Sequence, residues 1–259
     1  MAEKMQDRVA VVTGAGVGIG FALCRAFAED GAHVVLNDID PERATRAAAT
    51  INQAVGEERV TPVALDVADV AGVRRMIQDA AARWGRLDVV IANAGITNYG
   101  PFLDYTPEAF DRIVAVNLRG SYFTAQAAAR QMIALGMEEG RILLTSSVTG
   151  VQAFPNLGAY GVTKAGIRHM AKVLALELGP HHITVNAICP GATLTERTLA
   201  DDPHYEDNWA EVTPTGRVGY VDDIVAAARF LASPAARHVT GQTLIVDGGW
   251  SLQSPIPAG

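Results

Sequence analysis

The chain has 259 residues, of which 49% are hydrophobic, and a formal net charge of −7. That balance offers no basic stripe to a phosphate backbone or an anionic bilayer, so small molecules and protein subunits are the expected partners, not nucleic acid or membrane. No apolar run approaches the ~20 residues that span a bilayer, and the first residues carry no charged-then-apolar leader; a soluble, cytoplasmic protein is expected.

No Pro/Gly/Ser-rich linker, charge block or internal repeat divides the chain, so residues 1–259 are expected to form one domain. Arg8-Val-Ala-Val-Val12 reads as a buried strand and leads into Thr13-Gly-Ala-Gly-Val-Gly-Ile-Gly20, after which Phe21, Leu23, Cys24 and Phe27 recur with helical spacing. This is strand, glycine turn, helix. Gly14, Gly18 and Gly20 let the backbone approach a ligand, and the free N–H groups of the opening helix, Ile19 among them, face an anion such as pyrophosphate. Glycines alone would suit any tight turn; their position between first strand and first helix carries the reading.

His33–Asn37 is the second strand, and Asp38 stands at its end, about 20 residues past the glycines, where a carboxylate can accept bonds from ribose hydroxyls and repel a 2′-phosphate. Asp40 and Pro41 already serve as N-cap and first residue of the next helix, which leaves Asp38 free for a ligand. With no Lys or Arg in the glycine turn, NAD(H) is favoured over NADP(H).

The alternation continues with strand 60–65, a helix from about Asp69 to Trp84, strand 88–92, and a helix from Thr106-Pro107 to about Leu135. Then come strand 141–145, a helix from Ala159 to Leu178, strand 183–188, helix 222–231 and strand 243–246. Gly31, Gly85, Gly140 and Gly179 each precede a strand and read as left-handed helix C-caps. Continuously apolar strands alternating with helices predict an α/β fold with a parallel, doubly wound sheet, ligands gathering at the carboxyl ends of its strands.

Those ends carry Asp66-Val67, Asn93-Ala94-Gly95, Ser146-Ser147 and Pro190-Gly191. Asp66 could hold an adenine amino group and Asn93 could run along a cofactor, although all are also ordinary turn residues. Asn117, within the apolar pattern 113–118, needs specific partners if buried. Tyr160 and Lys164 share one helix face, about 5.4 Å apart along the axis. Positive charge from Lys164 would lower the phenol of Tyr160 toward use as a base, and the Ser147 hydroxyl could orient a carbonyl or alcohol oxygen. Cys24 and Cys189 read as reduced packing residues, and His181-His182 lack further ligands at metal spacing, so no metal site is expected.

Together these residues resemble the short-chain dehydrogenase/reductase family over nearly the whole chain: Thr13-Gly-x-x-x-Gly-x-Gly20, Asp66, Asn93-Ala-Gly95, Asn117, Ser147, Tyr160-x-x-x-Lys164, Pro190-Gly191 and Val246-Asp-Gly-Gly249. The resemblance implies a Rossmann-type fold and reversible hydride transfer between a secondary alcohol and a ketone. It implies Tyr160 as general acid/base and Lys164 as the residue that lowers its pKa and holds the nicotinamide ribose. Ser147 becomes the substrate-oxygen anchor, Asn117 the holder of a relay water, and Thr193 with Thr195 the grip on the carboxamide. Ala92 and Thr193 depart from the usual pattern.

It also implies a homotetramer and a lid at about 193–217, followed by a short tail, 250–259, that closes a pocket or frays. The lid holds Asp201, Asp202, Glu206, Asp207 and Glu211, which read mainly as a solvated surface; facing the pocket, they would suit a neutral polyhydroxy or cationic substrate better than an anionic one. Thr97, Tyr99, Thr149, Gln152 and Trp250 could add contacts. The expectation is an NAD-dependent dehydrogenase of a sugar, polyol or hydroxy acid. The alternatives are a 3-oxoacyl-thioester reductase and, in another class, an inactive cofactor-binding scaffold.

Overall fold

The first strand, β1 (Val9–Val12), is buried along its whole length, as a strand covered on both faces must be. The computed structural model describes residues 5–253 and 255. After β1 follow α1 (Gly18–Glu29), β2 (His33–Asp38), α2 (Pro41–Val55), β3 (Val60–Ala64), α3 (Val70–Trp84) and β4 (Val89–Ala92). Next come α4 (Pro107–Ile113), α5 (Ser121–Ala134), β5 (Gly140–Thr145), α6 (Gly158–Leu178) and β6 (Ile183–Pro190). The chain continues through β7 (Thr193–Leu194), α7 (Glu196–Asp201), α8 (Tyr205–Val212), β8 (Gly219–Tyr220), α9 (Val221–Ala232) and β9 (Thr243–Val246).

Seven strands form one sheet in the order β3-β2-β1-β4-β5-β6-β9, every pairing parallel. This is the doubly wound Rossmann-type arrangement. Because side chains alternate across a strand, Ala10 and Val12 join Leu23, Phe27, Ile51 and Leu231 on one face, while Val9 and Val11 join Ile77, Met132 and Ile167 on the other. The strand order reverses between β1 and β4, and a crevice opens there at their carboxyl ends.

The helix starts follow the side chains read from sequence. Asp40 accepts from the backbone N–H of Glu42 and Arg43, each at 3.0 Å, with Pro41 first in α2. Asp69 accepts from Ala71 N at 3.0 Å, and Thr106 from Ala109 N at 3.2 Å.

The helix ends differ in part. Gly31 and Gly85 take left-handed angles, φ 90° and 67°, but Gly140 and Gly179 do not. Gly140 already pairs with Ile183 inside the sheet, the left-handed residue being Gly136 just after α5. Gly179 has φ −54° and continues into a 3-10 turn through Pro180, so the reversal falls on His182 at φ 57°. The helix expected from 107 to 135 runs through a π-helical stretch, Val114–Gly120, that joins α4 to α5.

Among the described residues no helix is long and apolar enough to cross a membrane, and no group of three or more His, Cys, Asp or Glu could hold a metal ion. Of the tail, residues 254 and 256–259 lie outside the described residues.

Candidate active site

A cleft of about 700 Å³ occupies the switch point. Its floor is a staple between the two central strands: Thr13 Oγ1 accepts from Asn93 N and Ala94 N, both at 3.0 Å, and Asn93 Nδ2 donates to the carbonyls of Thr13 and Gly14 at 3.0 Å. Gly14 has φ 61°, and a Cβ there would stand 2.6 Å from Ala94 Cα. Only glycine fits. Gly18, at φ 59°, opens onto the cleft opposite Thr195. Gly14, Gly18, Ile19, Gly20, Asp38, Asp66, Val67, Asn93, Ser147, Tyr160, Lys164, Thr193 and Thr195 all line this one space. A bare backbone at the opening of α1, carboxylates at the ends of β2 and β3 and polar side chains at the far end suit an extended dinucleotide.

Asp38 is not free, contrary to the sequence reading. It is buried; Oδ2 accepts from Gly16 N at 3.0 Å, while Oδ1 accepts from Asp40 N at 3.0 Å and from Arg43 Nε and Nη2 at 3.1 and 2.8 Å. Arg43, five residues on, therefore puts a cation beside the carboxylate. Asp66 is engaged in a similar way: Oδ1 accepts from Ala68 N and Oδ2 from Arg112 Nη1, each at 2.9 Å. Both arginines line the cleft and neither was singled out from the sequence.

At the other end, β5 and α6 are locked together. Ser146 Oγ donates to Lys164 O at 2.8 Å, and Lys164 Nζ donates to Thr145 O at 2.8 Å. Burial pushes Lys164 down from its usual 10.5 to about 8. Tyr160 is pushed up by burial, and Ser147, Arg197 and Thr97 act against that shift. Lys164 Nζ lies over the Tyr160 ring, 5.5 Å from its centroid, and is not among the groups that act on the phenol. In the chain alone, then, the phenol is not held low by the lysine. Ser147 faces Tyr160, and its oxygen also accepts from Thr149 N at 3.3 Å.

Asn117 does not line the cleft. It is fully buried behind it in the π-helical stretch, its Oδ1 accepting from Ile96 N at 2.8 Å and its Nδ2 donating to Ile96 O at 2.9 Å. Asn117 Oδ1 and Lys164 Nζ lie 3.5 and 3.4 Å from the position a Cβ on Gly95 would take.

The segment 193–217 borders the same space through Thr193, Thr195, Glu196, Arg197, Thr198 and Tyr205. Thr193 Oγ1 donates to Gly191 O at 3.1 Å, and Thr195 caps α7 by accepting from Thr198 N at 3.2 Å. Asp201, Asp202, Glu206, Asp207 and Glu211 lie outside the lining; Asp202 accepts from His204 N and Asn208 Nδ2, and Glu206 accepts from the Tyr220 hydroxyl. Of the expected additional contacts only Thr97 reaches the cleft. Trp250 is buried against Trp209 and donates to Pro255 O at 2.6 Å, and Gln152 donates to Ser251 O at 2.8 Å. Cys24 and Cys189 are free and buried.

A parallel doubly wound sheet with a glycine-turn cleft at its switch point is a Rossmann-type α/β protein. The family model described as enoyl-(acyl carrier protein) reductase matches residues 14–251. A short-chain dehydrogenase/reductase of Armillaria gallica is 40% identical over 252 residues, covering 94% of this chain and 96% of that protein. An NAD-dependent glycerol dehydrogenase of Listeria innocua is 36% identical over 251 residues, covering 96% of each. The crystal structure of a gluconate 5-dehydrogenase from Burkholderia cenocepacia in complex with NADP and tartrate superposes with a TM-score of 0.88 at 38% identity, covering 97% of this chain and 98% of that one. The chain belongs to the short-chain dehydrogenase/reductase family, nicotinamide-dependent oxidoreductases acting on CH–OH groups.

Proposed function

We propose that the protein is an NAD(H)-dependent dehydrogenase of a small hydroxylated compound, a sugar, polyol or hydroxy acid, with Ser147, Tyr160, Lys164 and Asn117 as its working residues. The observation that carries this is the convergence of Ser147, Tyr160 and Lys164 on the same cleft as the glycine turn. A bound nicotinamide supplies the hydride acceptor or donor. Gly14, Gly18, Ile19 and Gly20 offer their backbone to its phosphates, Asp38 to the adenosine ribose, Asp66 and Val67 to the adenine, and Asn93, Thr193, Thr195 and Lys164 to the nicotinamide end.

In oxidation, ionised Tyr160 takes the alcohol proton; in reduction, the phenol protonates the developing alkoxide. Ser147 hydrogen-bonds the substrate oxygen and holds it toward Tyr160. Lys164 offers its remaining positive charge, and Asn117, on the far side of Gly95, positions a relay for the proton leaving Lys164. Residues 193–217 act as a lid. The preference for NAD(H) rests on the Asp38 carboxylate, with Arg43 already committed to it. Apolar side chains exposed on α5 and α6, among them Tyr122, Ile133, Val162 and Leu176, support a homotetramer.

The test is reduced-nicotinamide absorbance while the protein meets NAD+ or NADP+ with a panel of sugars, polyols and hydroxy acids. NAD+-dependent signal is expected. Similarity to a 3-oxoacyl-(acyl-carrier-protein) reductase of Chlamydia trachomatis, 34% identical over 249 residues, favours a second reading, a 3-oxoacyl-thioester reductase; NADPH-driven reduction of an acetoacetyl thioester with no alcohol oxidised would establish that one instead. No turnover in either arm, with cofactor bound, would leave the scaffold.

A further inference from the structure

Three arginines line the cleft, and two of them are paired with carboxylates. Arg43 is held by Asp38 and Arg112 by Asp66, at 2.8 and 2.9 Å. Arg197, near the start of α7, lines the same cleft and has no hydrogen bond or ion pair with any described residue. Its neighbour Glu196 also borders the cleft, but adjacent helical residues point about 100° apart and do not share a ligand. Arg197 is the charge felt most strongly at Tyr160, and it is felt at Tyr205 as well; both effects favour ionisation of the phenols. Tyr205 nevertheless stands at about 12 because of burial, so at neutral pH it presents a hydroxyl donor.

Resting on the dehydrogenase reading above, we infer that Arg197 is the recognition point for a carboxylate on the substrate, which makes the substrate a hydroxy acid or its keto counterpart instead of a neutral polyol. A guanidinium meets a carboxylate through two parallel N–H···O bonds, and an unpaired one at a cleft mouth is ready to do so. Thr97, Ser147, Tyr160 and Tyr205 then serve the hydroxyl end of the same molecule. Of the lid carboxylates, which would oppose an anion, Asp201, Asp202, Glu206, Asp207 and Glu211 lie outside the lining, and Glu196 is the one that borders it.

The experiment compares wild type, Arg197→Gln and Arg197→Lys on acids and polyols of matched carbon number: tartrate with threitol, gluconate with sorbitol. Wild type should favour the acids. In Arg197→Gln the acid-to-polyol ratio of kcat/KM should fall about 30-fold, carried mainly by KM, and Arg197→Lys should recover part of it. NADH affinity, followed by fluorescence, should move less than twofold. A ratio that does not change, or a loss of NADH affinity as large as the loss on acids, overturns the inference; the latter would assign Arg197 to the cofactor phosphates. Calorimetric titration of tartrate into the NADH complex judges the anion site apart from turnover. If no alcohol is oxidised the dehydrogenase reading fails, yet tartrate binding lost in Arg197→Gln upholds the anion site, and tartrate binding absent or equal in both removes it.

Discussion

Replacing Lys164 by Met should abolish oxidation and stabilise the fold. The lysine is buried and its folded value of about 8 lies below the usual 10.5. At about 1.36 kcal/mol per pKa unit, that difference is a penalty of about 3 kcal/mol on the charged form in the folded state. The sign follows from linkage: between pH 8 and 10.5 the unfolded chain binds the extra proton, so stability is fully present above about 10.5 and is lost as pH falls through about 8. Methionine removes the penalty but also the Nζ–Thr145 bond, about 1 kcal/mol, leaving a net gain of about 2 kcal/mol at pH 7. In a chain of this size that is roughly 4–8 °C in Tm. Equilibrium urea unfolding from pH 7 to 10 checks it: wild type should gain stability across the range and Lys164→Met should stay flat. A variant less stable than wild type at pH 7, with parallel pH profiles, would refute the reasoning.

Tyr160→Phe should lower kcat by about 10²–10⁴-fold while NADH affinity, by fluorescence titration, stays within about twofold. Asp38→Ala should release Arg43 for a 2′-phosphate; charge-assisted bonds of about 1.5–3 kcal/mol imply a shift of about tenfold or more toward NADPH in paired binding titrations. Gly14→Ala forces a left-handed angle on a residue with a Cβ and a 2.6 Å approach to Ala94 Cα, costing roughly 2–4 kcal/mol, visible in thermal melts. Leu176→Glu, on the exposed face of α6, should lower the mass seen by light scattering if that face joins copies of the chain.

What the sequence made legible was local or strictly ordered. Asp40, Asp69 and Thr106 cap helices because a cap depends on residues two or three positions away. Gly140 and Gly179 misled because a glycine before a strand marks a helix end only where nothing else can take the reversal; Gly136 and His182 took it. The π-helical stretch had no periodic signature, since its cause is tertiary: Asn117 reaches across to the backbone of Ile96. Arg43, Arg112 and Arg197 escaped notice because a long side chain's destination is not fixed by its spacing. Arg43 and Arg197 did carry one signal, since each stands in the first turn of a helix, where the dipole disfavours a cation.

The same bonds that close the sheet also shape the cleft, and this constrains which residues can be separated by mutation. Thr13 and Asn93 tie the end of β1 to the end of β4 across the point where the strand order reverses, so the floor of the cleft is pinned. Ser146 Oγ donates to Lys164 O and Lys164 Nζ to Thr145 O, bonds that join β5 to α6 and fix Tyr160, one turn earlier on α6, relative to Ser147, one residue past Ser146. Burial of Lys164 disfavours its charged form, while its hydrogen bond to Thr145 O holds the ammonium at the phenol ring. A cation buried at that cost, with a single backbone carbonyl as its hydrogen-bond acceptor, is not explained by packing. The proposed hydride transfer, with Tyr160 as its acid/base, supplies the reason: it needs a cation beside that phenol.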